Sequence, residues 1–395
     1  MILKILKATA ANVKVAASPL SAFWTFPSVL LSAFIIAWGA EAAQFMISQG
    51  LALAILAWLQ TLPEFAVEAV IAWEAGKDPA KTHLAIANFT GSLRLLVGLG
   101  WPLIYFVAYA FNRRKGNPRV TIHLEKEHSI EVFGLILPLV YFILIWWKGT
   151  LSIWDAIPLT LTYVLYLWIL WKIPPREEDE ETLEDVGVIP RKVLALGPRA
   201  RVAAVWALFL GGGTILFFSA HPFLESMLAL AVTFNMSQFV FVQWVAPFLS
   251  EFPEKVSAFN WARKVSSAHV ALMNMVSSNI NQWGILSAMI PIIFVISSGK
   301  IQPLVFDQHQ RDEILLTILQ SALGALLLLN LRLVFYEALV LFVFFLIQFI
   351  LPSTREEMIW VYLGWCGFEI LKMILRREPP AAWVGLRETL ARRFA

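Results

Sequence analysis

Charge and sulfur are both scarce in this chain. Only 15% of its 395 residues are Asp, Glu, Lys or Arg while 59% are hydrophobic, and a mean hydropathy of +0.70 is too apolar for a soluble chain of this length. That excludes a water-soluble globular protein and leaves a polytopic membrane protein. The one cysteine, Cys366, has no partner for an internal disulfide. The sequence lacks a nucleotide-binding motif, a nucleophile with a matched base, and a His/Cys cluster of metal-ligand spacing, so neither an enzyme nor a resident cofactor is expected. Nothing points to nucleic acid; the implied partners are the lipid bilayer and small inorganic ions. The N-terminus is compatible with a signal peptide but fits an interfacial helix better. The N-terminal stretch 1–17 holds Lys4, Lys7 and Lys14 but no distinct apolar core or cleavage pattern, and positions 1–23 read as an interfacial amphipathic segment.

A spanning helix needs about 20 apolar residues. On that criterion eleven segments are predicted, at 24–46, 50–74, 83–111, 129–147, 152–171, 202–220, 224–261, 266–297, 313–331, 333–351 and 357–375. Basic residues gather between the third and fourth segments, after the fifth, between the seventh and eighth, and in the C-terminal tail. With alternating spans all four places fall on one side, which is then cytoplasmic, with the N-terminus outside. The one substantial polar stretch, 173–201, carries the acidic run Glu177, Glu178, Asp179, Glu180, Glu181, Glu184 and Asp185 and reads as a solvated linker. It divides a first five-helix repeat (24–172) from a second (202–351), with residues 352–395 as an extra helix and basic tail.

One stretch occurs twice. Ser48-Gln49, Pro63-Glu64, His83, Asn88 and Gly91-Ser92 in the first half reappear in order as Ser237-Gln238, Pro253-Glu254, His269, Asn274 and Ser277-Ser278 in the second. Trp154-Asp155-Ala156 and Tyr336-Glu337-Ala338 open the fifth and tenth segments alike. An odd number of spans per repeat inserts the second copy upside down, the symmetry used by alternating-access carriers. The predicted fold class is therefore an all-α integral membrane protein of two inverted five-helix repeats plus one C-terminal transmembrane helix.

A carboxylate in hydrocarbon is costly unless it is paired, protonated or facing a wet cavity. Pro63 and Pro253 break their helices, and Glu64 and Glu254 follow those breaks directly. Asn88, Asn274, Ser92 and Ser278 are compatible with plain helix packing, but with the two acids they make an oxygen-only set. Such a set suits Ca²⁺, Na⁺ or a proton relay and not Zn²⁺ or copper. His83 and His269 are compatible with a structural or a pH-sensing role. Glu41, Glu68 and Asp155 are further acids near membrane depth, each also readable as a helix end.

Leu59-Gln60-Thr61-Leu62-Pro63-Glu64 and Leu249-Ser250-Glu251-Phe252-Pro253-Glu254 resemble the Gly-Thr-Ser-Leu-Pro-Glu motif of the cation/Ca²⁺ exchanger superfamily. Residues 85–92 and 271–280 are similar to the Gly-Asn-x-x-Gly-Ser-Asn element that follows it. The resemblance implies a cation antiporter in which Glu64 and Glu254 ligate the transported cation, helped by Thr61, Ser250, Ser92 and Ser278. It departs from the pattern where the family has a further Asn or Asp ligand, at Leu96 and Gln282, and where Glu251 replaces a Ser. The candidate cation site is thus Glu64, Glu254, Thr61, Ser250, Glu251, Ser92, Ser278, Asn88, Asn274 and Gln282.

Arg94 lies two residues past Ser92 and stays protonated. It is expected to pair, as an internal counter-ion, with Glu251 or with a motif glutamate. The function expected is exchange of Ca²⁺ or a related cation for H⁺ or Na⁺. The alternatives are a non-transporting membrane protein that keeps the fold and transport of another solute.

Overall fold

The computed structural model describes residues 18–46, 57–117, 120–172, 187–376 and 378–394. The N-terminal stretch 1–17, Ser48-Gln49 and the acidic run at 177–185 lie outside them. Among the described residues the chain is helical, with four strands of two residues each.

The first repeat opens with α1 (Ala22–Gln44), and its second span runs from a helical stretch at 57–60 through Thr61 into α2 (Leu62–Lys77). The third span is α3 (Thr82–Leu95), a π-turn at Leu96–Gly100 and α4 (Trp101–Arg114); α5 (Ser129–Lys148) and α6 (Ala156–Lys172) complete the repeat. A short α7 (Val188–Leu194) leads into the second repeat, which repeats the plan with α8 (Pro198–Thr233), α9 (Gln238–Ser250), α10 (Phe252–Ala262), α11 (Ala268–Asn281), a π-turn at Gln282–Leu286, α12 (Ser287–Ser298), α13 (Gln308–Leu328) and α14 (Phe335–Ile350). The additional α15 (Arg355–Arg376) packs against α13, and α16 (Ala381–Phe394) lies against α5.

Two boundaries differ from the sequence expectation. The apolar pattern puts the break between the sixth and seventh spans beside His221-Pro222, but α8 runs through Pro222 and ends at Thr233. A helix tolerates proline where neighbouring helices pack over the lost bond, and the chain turns instead at Asn235, whose φ is +53°. The seventh span is interrupted, α9 giving way to α10 at Glu251 (φ −95°, ψ 3°). Pro63 and Pro253 lie in the first turns of α2 and α10, where the missing N–H costs nothing and the preceding helix cannot continue. Thr61 and Glu251 are therefore held at equivalent joints.

The strands prove the inversion. Ile122–His123, which joins the third and fourth spans of the first repeat, pairs antiparallel with Arg332–Leu333, which joins the fourth and fifth of the second; Thr150–Leu151 pairs with Leu304–Val305 in the converse arrangement. Loops at different positions in the two repeats can meet on the same face only if the repeats insert oppositely. The echo at Asp155 and Glu337 is capping chemistry: Asp155 accepts from Ser152 N at 2.7 Å and Glu337 from Val334 N at 3.0 Å, satisfying helix-start donors.

Candidate functional site

Every residue of the predicted cation set is buried. Close approach of α3 and α9 brings the repeats together, and Gly91 permits it: a Cβ there would lie 1.8 Å from the Gln243 carbonyl oxygen. Asn88 Nδ2 donates to Glu64 Oε1 at 2.7 Å and to Glu68 Oε2 at 2.7 Å. The second oxygen of Glu64 accepts from Ser250 of the other repeat. Glu254 Oε1 accepts from Ser278 at 2.6 Å. Glu251 accepts from Ser92 of the first repeat, from Gln282 Nε2 at 2.9 Å and from Lys255 Nζ at 2.7 Å. Thr61 accepts from Asn281 at 2.5 Å, and Gln60 Oε1 from Asn274 at 3.1 Å. Each motif joint thus reaches the third span of the opposite repeat, and Glu251 and Lys255 interact electrostatically with both Glu64 and Glu254.

The unpaired atoms here are mostly acceptors. Glu254 Oε2, Glu68 Oε1 and the amide oxygens of Asn88, Asn274 and Asn281 are buried with no protein donor, each costing about 1–3 kcal/mol. A cation satisfies such oxygens, and a donor-rich ligand is what they would demand otherwise. Among the described residues no three His, Cys, Asp or Glu side chains converge as a metal cage. A cation held here would take carboxylate, hydroxyl and amide oxygens together, as hard cations do.

Arg94 corrects the expectation. It pairs with Glu313 of α13, donates to Gln348 Oε1 of α14 at 2.8 Å, and lies 5.0 Å from the Trp244 ring centroid. Two residues beyond Ser92 is about 200° around a helix, so Arg94 points away from the motif oxygens. Arg355 binds the other oxygen of Glu313, and Gln243 donates to Glu313 at 2.8 Å. Glu251 is instead offset by Lys255, one helical turn along in α10. Sequence reading passed over Lys255 and Glu313. Lysine beside Glu254 in an apolar run is itself a flag, whereas Glu313 is far along the chain from Arg94 and nothing local links them. His83 sits at the start of α3, its Nδ1 2.6 Å from Ala80 O and its ring stacked on Phe239; Glu41 accepts from Ser257 at 3.0 Å.

Two oppositely inserted five-helix repeats, interrupted helices and a buried oxygen cluster where they meet define the architecture of a secondary transporter. The family described as sodium/calcium exchanger protein matches residues 17–172 and 204–353, and the chain belongs to that family. A crystal structure of the H⁺/Ca²⁺ exchanger CAX is similar over 98% of this chain and 94% of its own, at 31% identity and a TM-score of 0.85. Structures of the sodium-calcium exchanger NCX_Mj share the fold at 15% and 16% identity, with TM-scores of 0.55 and 0.56, over 85% and 84% of this chain and 97% and 98% of theirs. Comparison with curated proteins gave no match. The chain is a multi-pass membrane protein of a cation-antiporter family.

Proposed function

We propose that the chain is a secondary antiporter that exchanges Ca²⁺ or a related cation for H⁺ by alternating access, with Na⁺ as the other candidate for coupling. The observation that carries this reading is the buried cross-repeat cluster in which Glu64 is bound by Ser250 and Asn88 and Glu254 by Ser278. Glu64 and Glu254 are its central ligands. Thr61, Ser92, Ser250, Ser278, Asn88, Asn274 and Gln282 supply neutral oxygens or hold the carboxylates in place. Lys255 offsets Glu251, so Glu64, Glu254 and Glu68 remain to balance a divalent cation or to be protonated in its stead. Similarity to the H⁺/Ca²⁺ exchanger CAX at 31% identity supports proton coupling, as does a neutral Gln282 and Leu96 where the superfamily pattern has Asn or Asp. The N-terminus lies outside and the C-terminus in the cytoplasm, by the basic loops.

Arg94 is bound to Glu313 and not to a motif carboxylate, which supports transport over a non-transporting protein. Uptake of ⁴⁵Ca²⁺ into proteoliposomes under an imposed pH gradient, and separately under a Na⁺ gradient, tests the proposal. Flux should follow the pH gradient and vanish in Glu64→Gln and Glu254→Gln. Folded protein with no gradient-driven cation flux rejects it.

A further inference from the structure

The fold duplicates a second pair of acids. Glu131 of α5 precedes the capping Asp155 by the same interval as Glu313 of α13 precedes the capping Glu337, so the two occupy equivalent places in the inverted repeats. Both are buried, at 6% and 0% exposure. Their surroundings have diverged. Glu313 is fixed by two guanidiniums, those of Arg94 and Arg355, groups that never deprotonate in a protein.

Glu131 stands among groups that exchange protons. His128 Nδ1 lies 3.4 Å from Glu131 Oε1, the His128 ring is 6.1 Å from that of His269 at the start of α11, and Tyr166 of α6 interacts with Glu131 electrostatically. The Tyr166 ring fits beside Glu131's helix because residue 134 is glycine: a Cβ there would lie 2.8 Å from Tyr166 Cδ2. The adjoining turn and α16 add the charges of Lys126, Glu127 and Glu388, with Lys126 paired to Glu388 at 2.8 Å. Inward from Glu131, the Tyr166 hydroxyl is 3.0 Å from Ser277 Oγ. Ser277 belongs to a polar stripe on α11, Asn274, Ser277, Ser278 and Asn281, at the i, i+3, i+4, i+7 spacing of one helix face. On that face Ser278 binds Glu254 and Asn281 binds Thr61.

We propose that Glu131, reloaded by His128, is the acid through which protons pass between this membrane face and the carboxylate centre. This rests on the proton-coupled reading above and adds a proton-transfer residue to it. In the step, the Glu131 carboxyl loses its proton and becomes a carboxylate. The Tyr166 and Ser277 hydroxyls each accept one proton and release another. Ser278 does the same and delivers a proton to the Glu254 carboxylate it is bonded to. Protonated His128 gives its proton to Glu131 and takes a replacement from water at this membrane face. No electrons move and no covalent bond other than those to hydrogen changes.

The test uses the full chain in proteoliposomes with two readouts: ⁴⁵Ca²⁺ uptake driven by a pH gradient, and ⁴⁵Ca²⁺/Ca²⁺ isotope exchange at equal pH, which needs cation binding and alternation but no net proton movement. Glu131→Gln should lower pH-driven uptake by about tenfold or more, the scale of losing a positioned proton carrier, and leave isotope exchange within about twofold. Tyr166→Phe should shift the same ratio in the same direction, and Glu131→Asp should restore part of the uptake. Unchanged pH-driven uptake in Glu131→Gln overturns the proposal, as does equal loss of both readouts in folded protein. If Glu131→Gln fails to fold, pH-driven uptake by Tyr166→Phe equal to that of the starting protein overturns it. Starting protein driven by Na⁺ alone sinks this proposal while the antiporter reading stands; no gradient-driven flux sinks both.

Discussion

Replacing Arg94 with methionine removes one of two guanidiniums from a carboxylate that no solvent reaches, Arg94 and Glu313 being 1% and 0% exposed. Removing one partner of a buried pair costs about 3–5 kcal/mol. Glu313 keeps Arg355 and the Gln243 amide, so Arg94→Met should fall near the lower figure, about 3 kcal/mol. Glu313→Gln strands two guanidiniums on one neutral amide and should approach the upper figure, about 5 kcal/mol. In the double variant only Arg355, at the edge of the cluster, is left without a carboxylate, and the total should fall short of the sum by at least about 1.5 kcal/mol. Unfolding of purified protein in mixed micelles by SDS titration, followed by tryptophan fluorescence, measures all four corners of the cycle. Additivity to within about 0.5 kcal/mol would refute the pairing. The same Arg94→Met protein should bind Ca²⁺ within about threefold of the starting affinity, less than about 1 kcal/mol, because Arg94 faces away from the motif oxygens. A loss or gain beyond tenfold would place it in the cation site after all.

Gly91→Ala should abolish folding or transport, since its Cβ would meet the Gln243 carbonyl oxygen, while Gly211→Ala, with nothing within 4 Å, should leave thermal stability and flux unchanged; equal effects from the two would contradict the close α3–α9 contact. Lys255→Gln frees Glu251 of its 2.7 Å partner and adds one net negative charge to the cluster. Unit charges several ångström apart at an effective dielectric near 20 interact by about 1–4 kcal/mol, so Ca²⁺ affinity by isothermal titration should rise roughly tenfold; weaker binding would remove Lys255 from the electrostatics of the site. Val265 is a β-branched residue at φ +62°, a backbone region that costs an L-residue about 1–2 kcal/mol. Val265→Asn should raise stability by about 1 kcal/mol in the same SDS titration, asparagine being at ease there, and a fall would show the strain to be relieved by packing.

The joints of the second and seventh spans are readable because their chemistry is local. A proline that cannot continue a helix, followed by Glu64 or Glu254, marks its own place in either repeat, and the Asn/Ser elements recur at helical spacing. The same rule misplaces the break between α8 and α9: Pro222 carries that local signal, and the helices packed around it override it. Lys255 is readable in principle, one turn past Glu251, yet a lysine in an apolar run gains meaning only beside a named carboxylate. Glu131 and Glu313 stand at matching intervals ahead of a capping acid, a correspondence that becomes visible once the caps are seen to be equivalent.

By itself the sequence determined that this chain lives in a bilayer, that its halves are duplicated with opposite insertion, and which oxygen-bearing side chains are buried. Those properties follow from hydropathy, span parity and helix-breaking residues, all written within a few turns of chain. Tertiary structure alone decided which distant group answers which: Arg94 to Glu313, and Ser250 to Glu64 across the repeats. Ion pairing in a low-dielectric interior depends on the direction a side chain leaves its helix and on which distant helix meets it there, and neither is encoded in the spacing of residues along one segment.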